Sequence, residues 1–207
     1  MLAFICGLTI PWIPETGSET KPSLAIIPFF IVREAVCPIC KSVFMRGEIF
    51  PGSQNTLTRL LYQKIETIGT FKVFPLEKME EVLSNWDKKL FEKKPIPSSI
   101  QLGKELNIDF ILVGFLFRFE ERIGSSLGVE KPASVGFDVH LLRLRDAKIV
   151  WQGKFDETQR PLSEDLFKIG SFFRRKAQWL TAEELASVGM DEMLKKLPGA
   201  SELEEKQ

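Results

Sequence analysis

The chain has 207 residues, enough for one domain with a substantial core. Its 28 basic and 28 acidic residues cancel, so no global field draws it onto nucleic acid or anionic lipid. At 44% hydrophobic and 27% charged the composition is that of an ordinary globular protein, and no internal apolar run reaches membrane-spanning length.

Residues 2–10 form a short apolar stretch of the size of a signal-peptide core, followed by Pro11-Trp12-Ile13-Pro14 and a polar segment to Lys21. Two readings stand side by side, an export signal and a buried first strand or helix. No Lys or Arg precedes the run, and Ile5 stands where a lipoprotein signal has a small residue before its cysteine. On the export reading, Cys6 is the candidate lipidation site.

Residues 24–31 are a compact apolar run, expected to be a strand covered on both faces, with Pro28 near an edge or a bulge. A long connection over 33–52 carries Cys37 and Cys40. Leu57, Leu60, Leu61, Ile65 and Ile68 share one face at helical spacing, predicting a helix capped by Ser53 or Asn55 and ended by Gly69. Residues 71–74 alternate as a short strand that stops at Pro75. Leu76, Met79, Val82, Leu83, Trp86 and Leu90 make a second helical stripe, and a short third helix is expected from Ser98 or Ser99 through Leu106.

Three strands come next. Residues 110–119 are apolar at both parities and should lie centrally. In the second strand Phe137, Val139 and Leu141 alternate with Asp138 and His140. In the third, Ile149, Trp151 and Phe155 alternate with Gln152 and Lys154. These two strands are expected to have one covered face and one wetter face. Asp146-Ala147-Lys148 reads as the tight turn between them, and residues 122–134 as a long Gly- and Ser-containing connection. Residues 162–179 and 181–197 read as two helices, the second with Thr181 and Glu184 as a capping box. The fold class is α/β (α+β): a mixed sheet of about five strands with helices packed on it, a late antiparallel meander and a helical C-terminus.

Cys37-Pro38-Ile39-Cys40 is the sharpest local motif. Two thiols separated by two residues hold one metal through a tight knuckle or close a small disulfide. A structural zinc takes four ligands, and the chain has no second Cys-x-x-Cys and no His pair. Cys6 and His140 are the remaining donors of those types, so completion by a second chain is the zinc arrangement the spacing favours. A structural staple, disulfide or metal, is favoured over redox catalysis. His140, the sole histidine, pairs with Asp138 two residues away, which reads as a surface polar contact rather than a catalytic couple. No catalytic residues are assigned. The loop Gly124-Ser125-Ser126-Leu127-Gly128 lacks the Lys-Ser/Thr and the strand–helix context of a phosphate cradle, and stands instead as the candidate partner-binding segment.

The ordered strands resemble the TolB amino-terminal-like superfamily, a group that includes curli-secretion lipoproteins and lipoprotein activators of penicillin-binding proteins. Ala25-Ile26-Ile27-Pro28-Phe29 is similar to its first strand. Phe71-Lys72-Val73-Phe74 with the following Leu/Met helix fits its second strand and helix. Residues 106–114 (Leu-Asn-Ile-Asp-Phe-Ile-Leu-Val-Gly) resemble its entry into the third strand, and Phe137-Asp138-Val139-His140-Leu141 with Ile149-Val150-Trp151 its closing hairpin. The turn at Asp146-Ala147-Lys148 lacks the family's usual glycine, and the cysteine-bearing connection is not part of the general pattern. The resemblance covers roughly residues 22–160 by motif order.

It implies a non-catalytic protein of the bacterial envelope, periplasmic and anchored to the outer membrane through a lipid, acting on a protein partner or as a homo-oligomer. No nucleic acid and no cofactor are implied, with zinc at the cysteines left open. The thiol- or metal-dependent reading of Cys37 and Cys40 is the alternative. The chain divides accordingly into a signal or anchor remnant and linker (1–21), the α/β domain (22–160), C-terminal helices (161–198) and a flexible tail (199–207).

Overall fold

The computed structural model describes residues 21–159 and 179–205. The elements in chain order are β1 (Ser23–Ile26), β2 (Phe30–Ile31), α1 (Ser53–Ile68), β3 (Lys72–Val73), α2 (Leu76–Ser84), α3 (Lys88–Lys93), α4 (Pro95–Leu106), β4 (Phe110–Glu120), β5 (Ile123–Gly124), β6 (Val129–Lys131), β7 (Ser134–Arg143), β8 (Lys148–Thr158), α5 (Ala182–Leu194) and α6 (Ala200–Glu205). The mixed α/β architecture expected from the sequence is the one found.

The main sheet has six strands in the order β3-β1-β4-β7-β8, with β2 also paired to β4. β1 and β2 both run parallel to β4, end to end along one of its edges: Leu24 faces Phe110 and Phe30 faces Phe115. The expected single strand over 24–31 is thus broken in the middle. Pro28 has no N–H for the ladder, and the Phe29 amide turns away to donate to Thr58 Oγ1 at 3.0 Å. From β4 onward the sheet is antiparallel, with Val113 opposite His140 and Asp138 opposite Lys154.

Two cores flank this sheet. On the first face Leu24, Ile26, Leu112, Phe137, Val139 and Leu141 meet Leu57, Leu61 and Ile65 of α1 and Leu185, Ala186 and Met190 of α5. On the second, Ala25, Ile27, Ile111, Val113, Phe115 and Leu142 meet Met79 of α2, Phe91 of α3 and Leu102 of α4. From Phe110 to Phe117, before the register shift takes effect, even parity on β4 serves one core and odd parity the other, which is why that strand reads as apolar at both parities.

Several boundaries move for physical reasons. α1 is preceded by Gly52 in the left-handed region and has no side-chain cap; Ser53 Oγ donates instead to the Phe50 carbonyl at 2.6 Å. Gly69 ends it in the left-handed conformation, as expected. The stripe over 76–90 splits into α2 and α3 because Asp87 caps a new helix by accepting from the Lys89 amide at 2.9 Å. α4 starts at Pro95, whose fixed φ suits a first helical position, rather than at Ser98 or Ser99. Ala147 occupies the turn glycine's place at φ 57°.

The 122–134 connection is an ordered two-stranded ribbon of β5 and β6. The Thr181–Glu184 capping box of α5 forms as expected. Beyond it, the expected frayed tail is helical at α6, where Leu203 is buried and its carbonyl accepts from Arg143 Nη1 at 2.5 Å. The helix expected over 162–179 falls almost entirely outside the described residues, as do Cys6 and the apolar stretch around it.

Candidate functional site

The 33–52 connection carries a small hairpin. Phe44 donates its amide to the Ala35 carbonyl at 2.8 Å, Cys37 donates to Ser42 at 2.9 Å, and Val36 bridges Val43. Its tip is Cys37-Pro38-Ile39-Cys40-Lys41. Lys41 closes the turn in the left-handed region at φ 62°, and its Nζ donates to the Pro38 carbonyl at 2.9 Å. This folds the backbone around one sulfur: the amides of Ile39 and Cys40 donate to Cys37 Sγ at 3.3 and 3.4 Å.

The hairpin is held on the second face of the sheet. Phe44 stacks on Phe117 with ring centroids 3.9 Å apart, and Lys154 Nζ lies 4.2 Å from the Phe44 centroid while donating to the Val43 carbonyl at 2.6 Å. Arg118, 2% exposed, supplies the second anchor. Its Nη1 donates to the Met45 carbonyl at 2.6 Å, its Nε to Ser134 Oγ at 2.6 Å and its Nη2 to Asp156 Oδ1 at 2.9 Å. Asp156 Oδ2 accepts the Met45 amide at 3.1 Å. Gly47 lets the backbone pass, because a Cβ there would lie 2.4 Å from Arg118 Cδ. Arg118 also sits at the irregularity in β4, where the register shifts between Leu116 and Arg118. Sequence reasoning missed this arginine; a lone charge inside a strand of apolar residues was the available signal.

β7 brings two more groups under the hairpin. Asp138 and His140, two residues apart on one strand, point to the same side. Both are 1% exposed, so the surface contact and the wetter face expected from alternation are corrected: the cysteine hairpin covers the polar parity of β7. His140 Nε2 lies 3.3 Å from Asp138 Oδ2 and 3.4 Å from Cys37 Sγ, and Cys40 Sγ lies 3.6 Å from Asp138 Oδ2. One donor atom from each of Cys37, Cys40, Asp138 and His140 falls within 4.8 Å of every other. The two further donors expected from a second chain are therefore within reach in the same chain.

The electrostatics of this cluster are unusual for a buried site. Among the described residues, no Lys or Arg nitrogen lies within 4.0 Å of the Asp138 carboxylate: Lys154, opposite it on β8, turns its Nζ to the Val43 carbonyl, and the near neighbour is His140 Nε2. Asp138 Oδ1 and His140 Nδ1 are buried without a hydrogen-bond partner. Burial, reinforced by the neighbouring Asp138, pushes the Cys37 thiol well up from its ordinary range. Without a cation beside it, a thiol shifted in this direction is a poor nucleophile, the opposite of the depressed, exposed thiol that disulfide exchange needs. Both cysteines are free thiols, Cys37 buried and Cys40 partly exposed. Cys37, Cys40, Asp138 and His140 are thus the described residues placed to hold a cation.

The other sequence candidates lie elsewhere. Gly124 to Gly128 form the end of the β5–β6 ribbon, with Gly124 at φ 117° and Leu127 84% exposed. The Ser125 amide donates to the Gly128 carbonyl at 2.8 Å, and the Ser126 carbonyl accepts the Trp179 amide at 2.9 Å. The ribbon shares no contact with the cysteine cluster among the bonds above.

No protein-family model matches the chain, and no curated protein matches it in sequence. Solved structures do match in fold. Lipoprotein GNA1162 from Neisseria meningitidis is similar at TM-score 0.50 and 12% identity, over 86% of this chain and 99% of that one. A PelC dodecamer from Paraburkholderia phytofirmans matches at TM-score 0.46 and 10% identity, over 91% and 90% of the two chains. The C-terminal domain of LpoB from Salmonella enterica matches at TM-score 0.43 and 12% identity, over 69% and 87%. The mixed α/β fold that the strand motifs imply is the one shared with lipoprotein GNA1162. At such identities what is shared is the fold: a mixed sheet clad by helices, present from end to end in a lipoprotein of known structure.

Proposed function

We propose that this chain is a non-catalytic protein of the bacterial cell envelope, exported and lipid-anchored, that works by holding a protein partner. The observation supporting it is the match to lipoprotein GNA1162, which spans 99% of that protein and 86% of this chain. The apolar stretch over residues 2–10, with Cys6 inside it, supplies the export and anchoring element of the proposal. The β5–β6 ribbon is the proposed contact. It projects Leu127, 84% exposed, and Ile123, 54% exposed, beside polar serines, and an apolar anchor with a polar rim is what a partner surface needs.

Two measurements test this. Fractionation of the cells that make the protein should find it in the envelope, released from membranes by detergent. A soluble cytosolic chain with Met1 intact overturns the reading. A photo-crosslinker placed at Leu127 should then trap a discrete adduct in intact cells, while one at Lys72, exposed on the β3 edge, traps none. Equal labelling from both positions would remove the ribbon from the proposal.

A further inference from the structure

We propose that Cys37, Cys40, Asp138 and His140 form a structural zinc site, complete within one chain, that clips the cysteine hairpin to strand β7.

The donor spacing is the first argument. Zinc bonds to sulfur, nitrogen and oxygen of about 2.3, 2.0 and 2.0 Å place the corners of a tetrahedron roughly 3.3–3.8 Å apart. The observed edges are 3.3 Å from His140 Nε2 to Asp138 Oδ2, 3.4 Å from Cys37 Sγ to His140 Nε2 and 3.6 Å from Cys40 Sγ to Asp138 Oδ2. All four atoms lie within 4.8 Å of one another. Three of the six edges thus match a zinc tetrahedron and the other three are no longer than 4.8 Å, so small side-chain adjustments bring all four donors onto one ion.

Charge is the second argument. A carboxylate, two sulfurs and an imidazole are gathered at a place where Asp138 and His140 are 1% exposed. A buried carboxylate with one oxygen unpartnered, and no Lys or Arg nitrogen within 4.0 Å of it among the described residues, calls for a cation, since the cross-strand Lys154 gives its Nζ to the Val43 carbonyl. A divalent ion at the centre neutralises most of the negative charge that the two thiolates and Asp138 would carry together.

The third argument is the local backbone. The amides of Ile39 and Cys40 point at Cys37 Sγ, an arrangement that favours the deprotonated sulfur a metal requires. The left-handed Lys41 closes the tip and sends the chain back to Ser42, whose carbonyl accepts the Cys37 amide.

The donor set also selects the ion. Two thiolates and an imidazole suit zinc and are poor ligands for calcium or magnesium, which take oxygen, while an iron–sulfur cluster takes four thiolates. Four protein ligands leave no open position, so the site is structural rather than hydrolytic. Its effect is to tie a hairpin between β2 and α1 to a strand about a hundred residues later. The four donors converge whether or not the chain is exported.

The test uses the full chain. Purified protein should carry one zinc per molecule, and cobalt(II) exchanged for it should give the intense visible absorption of a tetrahedral ion with thiolate charge-transfer bands in the near ultraviolet. Cys40→Ser, at the partly exposed ligand, and His140→Asn should each lose stoichiometric metal and the tetrahedral cobalt spectrum. Circular dichroism of Cys40→Ser should still report the native α/β content, which separates loss of the site from loss of the fold. If Cys40→Ser does not fold, the wild-type cobalt spectrum and stoichiometry decide alone. Folded wild-type protein that binds no stoichiometric zinc, that gives the weak spectrum of octahedral cobalt, or that holds Cys37 and Cys40 as a disulfide as purified overturns the proposal.

Discussion

The two faces of the sheet are closed by different means. The first is closed mainly by apolar area: α1 and α5 lay leucine, isoleucine and methionine side chains on Phe137, Val139 and Leu141. The second is closed partly by α2, α3 and α4 and partly by the irregular hairpin over 35–44, which is held by an arginine, a lysine, an aspartate and the cysteine cluster. Burial on the first face is non-directional and tolerates modest repacking. On the second it depends on a few directional contacts, each of which leaves a buried polar group stranded if its partner goes. One strand, β7, serves both: its odd residues belong to the first kind of core and Asp138 and His140 to the second.

The comparison breaks most severely at Phe137. Its ring meets Phe29 edge-on at 6.0 Å and Phe155 at 5.6 Å, fully buried. Phe137→Ala should cost about 3–5 kcal/mol in denaturant unfolding, by lost transfer energy and the cavity left behind. The loss should be the same with or without a metal chelator, because no donor of the cluster faces that side.

Arg118→Met is the corresponding lesion on the second face. It strands Asp156 and the Met45 carbonyl, and should cost roughly 3 kcal/mol, the low end for breaking a buried pair, since Asp156 is 14% exposed. Hydrogen exchange distinguishes it from the phenylalanine lesion. Amides of 35–47 should exchange faster in Arg118→Met while those of α1 and α5 keep most of their protection. Uniform acceleration across both faces would show that they do not open separately.

Chelation sharpens the same contrast without a mutation. With zinc a hundredfold above its dissociation constant, the proposed site contributes about 2.7 kcal/mol by mass action. A strong chelator should lower the melting temperature of the wild type and leave that of Cys40→Ser unchanged. Equal response, or none in either protein, argues that the second face is closed by its anchors alone.

What could be read in advance follows the same division. Period-two alternation in β7 and helical stripes in α1 marked the first face, because apolar burial writes itself into local periodicity. The succession of strands along the chain was legible for similar reasons, and the capping box of α5 from the Thr181 and Glu184 spacing. The site was half legible. Cys37 and Cys40 announce themselves by spacing, but Asp138 and His140 lie about a hundred residues away and look like the exposed parity of a strand. Alternation says that a face is polar, not whether something polar covers it. The cover is an irregular loop whose placement depends on Arg118, Lys154 and Gly47 acting from separate elements, and no local pattern carries that information. Pro28 marked a place without a ladder bond, near an edge or a bulge, but not that the strand splits there; nor was the helical α6 visible, since its hold is Leu203 and one carbonyl on Arg143.

The smallest expected effect lies at the β7–β8 turn, where the anchoring is electrostatic and exposed. The Arg143 guanidinium beside Asp146, at 2.6 and 3.0 Å, holds its carboxyl down from 3.8 to about 2, with Lys148 at 3.9 Å adding to the effect. A carboxylate depressed in the folded state stabilises it above the ordinary value, and that contribution is lost as the pH falls toward the folded one. Stability should therefore decline between pH 3.8 and about 2 with a component assignable to this turn. Asp146→Asn should remove that component while leaving the profile above pH 5 parallel to the wild type, offset by a small loss that shrinks with added salt. Arg143 keeps its bond to the Leu203 carbonyl in that variant, so α6 should stay docked. If protection of α6 amides falls together with the acid slope, Arg143 holds the C-terminal helix only when Asp146 orients it, and a directional contact helps close the first face, where Leu203 packs.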